Sequence, residues 1–83
     1  MAQGTFDWVR DRFADVLELD PAVILPTSRF ADDLDADSID LIEVVNSAEH
    51  TLGIAIAEDE LYDLETVQEL VDVIDRHRDA GAS

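Results

Sequence analysis

Residues 31–40 read ADDLDADSID. The stretch sets one hydroxyl, Ser38, among Asp32, Asp33, Asp35, Asp37 and Asp40, and it opens the segment whose periodicity decides the fold. From Asp37 to about Leu52, a polar stripe of Asp40, Glu43, Ser47 and His50 recurs at spacings of three, four and three, widened by Asn46. Leu41, Val44, Val45, Ala48 and Leu52 fill the other side. This is the pattern of an amphipathic helix with one face in a core. Gly53 stands where a left-handed residue commonly ends such a helix.

Working outward, Phe6, Val9, Phe13, Val16 and Leu17 form a second helical stripe, with Thr5 as its expected cap and Trp8 off the stripe as a partly exposed packing residue. Residues 19–36 contain Pro21 and Pro26 and many turn formers. They also contain Val23, Ile24, Leu25, Phe30 and Leu34, so a long loop pinned to the core by apolar anchors is expected. Beyond Gly53, the segment AEDELYD at 57–63 has room for one or two helical turns around Leu61. The last helix is announced by TVQE at 66–69, a capping box in which Thr66 and Glu69 satisfy each other's amides. Val67, Leu70, Val71 and Ile74 follow at helical spacing, Arg76, His77 and Arg78 are read in the final turn, and the tail from about residue 79 is read as frayed. The expected architecture is all-α: a small four-helix bundle of three longer helices and one short third helix, with a long first loop, in a single domain over 1–83.

The chain has 83 residues, enough for one core. It has no cysteine, so neither disulfides nor a thiolate zinc site can staple it. The N-terminus lacks a basic region followed by an apolar run, and no stretch approaches the roughly 18 apolar residues of a membrane span. A soluble, cytoplasmic protein is expected. Twenty-one acidic residues stand against five basic ones, all arginine, and none of these lies between Arg29 and Arg76. That sign argues against nucleic acid and for basic partners.

Several chemistries for the acid cluster fail on spacing. Asp33, Asp35 and Asp37 match positions one, three and five of a calcium loop, but position six is Ser38 instead of glycine and position twelve is Val44 instead of glutamate. Ser38 and His50 on one helix are about 18 Å apart along its axis, too far for a nucleophile and its base. Both histidines are read as surface residues, and no metal site is expected. The local sequence leaves Ser38 with two readings. It is a helix cap, or, with Asp37 as the cap, an outward hydroxyl at a helix N-terminus that would tolerate an attached phosphate.

The run Asp37, Ser38, Ile39, Asp40, preceded by FADDL at 30–34 and followed by Glu43, Val44 and Val45, resembles the prosthetic-group site of acyl carrier proteins. The resemblance extends over nearly the whole chain, including the long loop, the connection from Gly53 to Ile56 and LETV at 64–67. It implies that Ser38, flanked by Asp37 and Ile39, receives 4′-phosphopantetheine from coenzyme A through a magnesium-dependent phosphopantetheinyl transferase. The chain would then be a non-catalytic carrier whose imported thiol holds acyl groups as thioesters for fatty-acid or polyketide-type synthesis. Asp37, Asp40 and Glu43, with Glu58, Asp59 and Glu60, would meet basic patches on acyl-transferring and chain-elongating enzymes. Ile39 and Ile42 would add apolar contact, Ile56 and Leu61 would line an acyl-chain cavity, and a monomer suits such a shuttle.

The chain departs from the family pattern at Ile39, where leucine is usual, at Asn46 and Ala48, where larger apolar residues are common, and at His50, where an acid is frequent. These positions point to a carrier with its own partners or cargo. The contrasting reading is an acidic helical interaction or divalent-ion-binding module that uses Ser38 only as a cap.

Overall fold

The computed structural model describes residues 4–82, with side chains as far as Arg78. Three α-helices, α1 (Thr5–Leu17), α2 (Ser38–Leu52) and α3 (Val67–Ala82), pack as a small helical bundle, and the described residues contain no β-strand. Residues 1–3 and 83 of the expected domain, and the side chains of the tail from 79, lie outside what is described. The backbone of α3 continues to Ala82, so Arg76–Arg78 precede its last turn.

The core forms where the apolar stripes meet. Val9 and Phe13 of α1, Val44, Val45 and Ala48 of α2, and Val67, Leu70, Val71 and Ile74 of α3 are all buried, as the helical spacing requires. Trp8, Val16, Leu17 and Leu41 pack at the edge of this core. Gly53 closes α2 in the left-handed conformation, at φ 69°.

The long first loop is ordered because its backbone polar groups have partners. Pro21–Val23 form a 3₁₀ turn capped by Asp20, whose Oδ1 accepts from the Ala22 amide at 2.9 Å. Further on, Pro26 and Ser28 offer their carbonyls to Gln68 N and Val67 N at 2.9 and 3.0 Å, satisfying two amides that the first turn of α3 would otherwise leave unpaired. The Thr66–Glu69 capping box completes that terminus, with Thr66 N to Glu69 Oε1 at 2.9 Å and Glu69 N to Thr66 Oγ1 at 3.3 Å. Phe30 donates its amide to Glu65 O at 2.9 Å and stacks on Phe13 with ring centroids 5.2 Å apart. Of the five expected apolar anchors, Ile24, Phe30 and Leu34 are buried. Val23 and Leu25 face solvent at 56% and 55% exposure, on either side of Ile24.

One local expectation gives way and another is met in part. Thr5 does not cap α1, since Gly4 occupies the cap position without a side-chain bond. Instead the Thr5 hydroxyl donates to Asp75 Oδ1 and accepts from Arg78 Nη1, tying the start of α1 to α3. The expected short third helix is a single 3₁₀ turn, Glu58–Glu60, followed by a further turn. Its amides reach three residues back: Glu60 to Ala57, Leu61 to Glu58 and Leu64 to Leu61. Nucleating an α-helix in so short an acidic segment is costly, and the tighter turn needs fewer ordered residues.

Candidate functional site

The site is built at the N-terminus of α2. The chain reaches it through a tight approach, in which Leu34 N bonds to Arg29 O and Ala36 N to Phe30 O. Between these two, Asp35 adopts a left-handed conformation at φ 53°, and Leu34 and Ala36 on either side turn inward and are buried. Asp37 then caps the helix. Its Oδ1 accepts from Asp40 N at 3.0 Å, and Asp40 Oδ2 accepts from Asp37 N at 3.2 Å. Ser38 is therefore the first helical residue and not the cap.

The consequence is a free hydroxyl. Ser38 is exposed, and among the described residues its side chain makes no hydrogen bond. Beside it opens a cavity of about 310 Å³, with Phe30, Leu41, Leu61 and Leu64 as its apolar lining and Arg29 and Tyr62 among its polar walls. A second cavity of about 280 Å³ shares Leu61 with the first and has Ile42, Val45 and Ile56 as its other apolar lining. Ile56 and Leu61 thus share one cavity. Ile56 is also pinned through its amide, which donates to Glu49 Oε2 at 3.0 Å.

Around the hydroxyl, Ile39 projects into solvent at 72% exposure and Ile42 is partly exposed, while Asp37 and Glu43 stand outward with Asp40 half-buried. No ion pair among the described residues involves a carboxylate of α2, so the helix presents uncompensated negative charge. Ser47 leaves the expected outward stripe and accepts from Arg12 Nη2 of α1 at 3.3 Å. Two carboxylates of the cluster each commit one oxygen to the local backbone. Asp33 Oδ2 accepts from Arg29 N at 2.8 Å, and Asp37 is the cap.

The acidic turn divides. Glu58 and Asp59 are exposed, whereas Glu60 turns toward α3, where His77 Nε2 lies 3.0 Å from its Oε2. The Ala57 amide and then His77 hold the Glu60 carboxyl below its ordinary range. His77 is accordingly a paired residue, and only His50 is the free surface histidine expected of both. The amides of Glu65 and Thr66 similarly lower Glu69, whose carboxylate serves the α3 cap. Arg29 and Tyr62 at the Ser38 cavity were not singled out by sequence reasoning. Arg29 carried a signal as the one cation between Arg12 and Arg76, whereas Tyr62, 76% exposed, carried none.

Among the described residues, no helix is long and apolar enough to cross a membrane. Residues 7–74 match the family described as phosphopantetheine attachment site. The chain is 41% identical over 61 residues to an acyl carrier protein of Thermosynechococcus vestitus, covering 74% of this chain and 75% of that one. Similarity to the acyl carrier protein of Micrococcus luteus is 46% identity over 57 residues, covering 69% and 70% of the two chains. For that of Lactobacillus acidophilus it is 38% over 73 residues, covering 88% and 91%. The chain belongs to the acyl carrier proteins, non-catalytic proteins that hold their cargo on a phosphopantetheine group.

Proposed function

We propose that Ser38 is the residue to which phosphopantetheine is attached, and that the whole chain works as one carrier domain of fatty-acid or polyketide-type synthesis. The observation that carries this reading is the division of labour at the start of α2: Asp37 and Asp40 cap the helix, leaving the Ser38 hydroxyl exposed and without a hydrogen bond. A transferase can reach such an oxygen without unfolding the helix. The free amides of the first turn and the helix dipole also suit a phosphate there. The residues present therefore fit the group. When attached, it supplies a terminal thiol that takes acyl groups as thioesters.

The rest of the site has matching roles. Asp37 and Ile39 flank the attachment point and are read by the transferase. Asp37, Asp40 and Glu43, with Glu58 and Asp59, steer basic patches of acyl-transferring and chain-elongating enzymes, and Ile39 and Ile42 supply the apolar contact. Glu60 contributes to the same field from its paired position. Ile56 and Leu61 line the cavity for an acyl chain. The turn at 58–60 serves as the fourth, short helical element of the bundle. A cytoplasmic monomer fits a protein that must meet several enzymes and leave each quickly. The capped-serine interaction module has lost its main support, because Asp37 is the cap.

Intact mass after incubation with coenzyme A, magnesium and a phosphopantetheinyl transferase tests the proposal. One phosphopantetheine adduct is expected on the parent and none on Ser38→Ala. An adduct on the variant, or none on folded parent with several transferases, would reject Ser38 as the attachment point.

A further inference from the structure

Attaching a phosphodiester to Ser38 adds a negative charge to a region that already holds Asp32, Asp33, Asp35, Asp37 and Asp40. The one cation in the sequence between Arg12 and Arg76 is Arg29, and it lines the same cavity as Ser38. Arg76 lines a different cavity, with Glu60, Asp63 and Glu69. Arg29 is the one arginine in the lining of that cavity, which makes it the cation placed beside the attachment point.

The local structure suits that task. The backbone of Arg29 is fixed on several sides: its amide donates to Asp33 Oδ2 at 2.8 Å, its carbonyl accepts from Asp33 N and Leu34 N at 3.0 Å each, and it bridges to Thr66. The guanidinium beyond this anchor is loosely engaged. Its partner is Asp32 at 3.4 Å, with the two side chains 63% and 71% exposed. Such a pair contributes little and exchanges readily. A phosphate offers a guanidinium two oxygens in a geometry that it can bind with two parallel bonds.

Resting on the reading that Ser38 bears the arm, we propose that Arg29 is a positioning residue for the attached phosphodiester, exchanging Asp32 for the phosphate and holding the root of the arm against the cavity lined by Ser38 and Tyr62. The experiment compares apo and loaded forms of the parent, Arg29→Gln and Arg29→Lys, each verified by intact mass. Two readouts are the melting temperature at low salt and near 1 M salt, and the NMR signal of the Arg29 Nε–H group. Loading should lower the melting temperature of Arg29→Gln by about 2–4 °C more than that of the parent at low salt. Arg29→Lys should recover part of this difference, and high salt should erase it, because the screening length falls to about 3 Å. The Arg29 Nε–H signal of the parent should shift on loading. Equal melting changes in parent and Arg29→Gln, with an unmoved Nε–H signal, would overturn the proposal while leaving Ser38 as the attachment point. Failure to load the parent at Ser38 would instead overturn both.

Discussion

His77 Nε2 lies 3.0 Å from Glu60 Oε2, joining α3 to the 3₁₀ turn at Glu58–Glu60 across a sequence separation of 17 residues. The same carboxylate accepts from the Ala57 amide at 3.0 Å, so one side chain both caps its own turn and fastens that turn to the bundle. The turn leads directly into Leu61 and Tyr62, which wall the cavity beside Ser38. Whatever loosens Glu60 therefore loosens a wall of the candidate site.

The lowered Glu60 carboxyl sets the direction of a pH effect. A carboxyl that is more acidic folded than unfolded contributes stability above its unfolded value, near 4.5, and loses it as pH falls through the folded value. Glu60→Gln should thus be less stable than the parent at pH 6–7, and the gap should narrow below about pH 4.5. Urea unfolding of both proteins between pH 7 and pH 3 checks this. A gap that stays constant across the range would show that folding is indifferent to the ionisation of Glu60.

The cap of α2 separates two adjacent residues by stability. Asp37→Ala removes the side chain that accepts from Asp40 N and should cost about 1 kcal/mol. Ser38→Ala removes an exposed hydroxyl with no hydrogen bond and should stay within about 0.5 kcal/mol of the parent. Chemical denaturation of the two variants decides between them. A larger loss at Ser38 than at Asp37 would restore the serine to a capping role.

The helices, their buried faces and the capping residues of α3 were legible because each follows from neighbours within four positions. Val44, Val45 and Ala48 lie on the inner face of α2 by spacing alone, and Gly53 ends that helix by its own conformational freedom. The contacts that were not legible join residues distant in sequence. Thr5 looks like a cap from its neighbours, but Asp75 and Arg78, about seventy positions away, take its hydroxyl. Ser47 reads as an outward polar residue until α1 brings Arg12 against it. His77 reads as a surface residue until the turn at 58–60 folds onto α3. At the candidate site, the motif draws attention to Ser38, but only the packing of the loop against α3 and the turn sets Arg29 and Tyr62 on the same cavity.

The link between Thr5 and α3 predicts a stability effect at a position that its local sequence would call a helix terminus. Thr5→Val keeps the size and branching of the side chain but leaves Asp75 and Arg78 without their shared partner. Hydrogen bonds to charged groups are worth more than neutral ones, and this pair is partly buried, so a loss of about 1–2 kcal/mol is expected. Replacement of the outward Glu43 should cost less. Equal effects of the two substitutions in denaturant would show that the Thr5 contacts do not tie α1 to α3.

Finally, the split within the acidic turn predicts that neighbouring charges act in different ways. Glu43, Glu58 and Asp59 are exposed and pair with no cation among the described residues, so Glu43→Lys, Glu58→Lys and Asp59→Lys should leave the fold intact. Each should slow association with partner enzymes by about three- to tenfold at low salt and by less as salt is added, because the lost interaction is long-range steering. Glu60→Lys removes the acceptor for Ala57 and sets a cation against His77, so it should lower stability as well as association. Stopped-flow binding to a chain-elongating enzyme, with melting temperatures measured beside it, distinguishes the two outcomes. Association rates unchanged by reversal at Glu43, Glu58 and Asp59 would remove electrostatic steering from the account of this surface, leaving Ile39 and Ile42 as its recognition contacts.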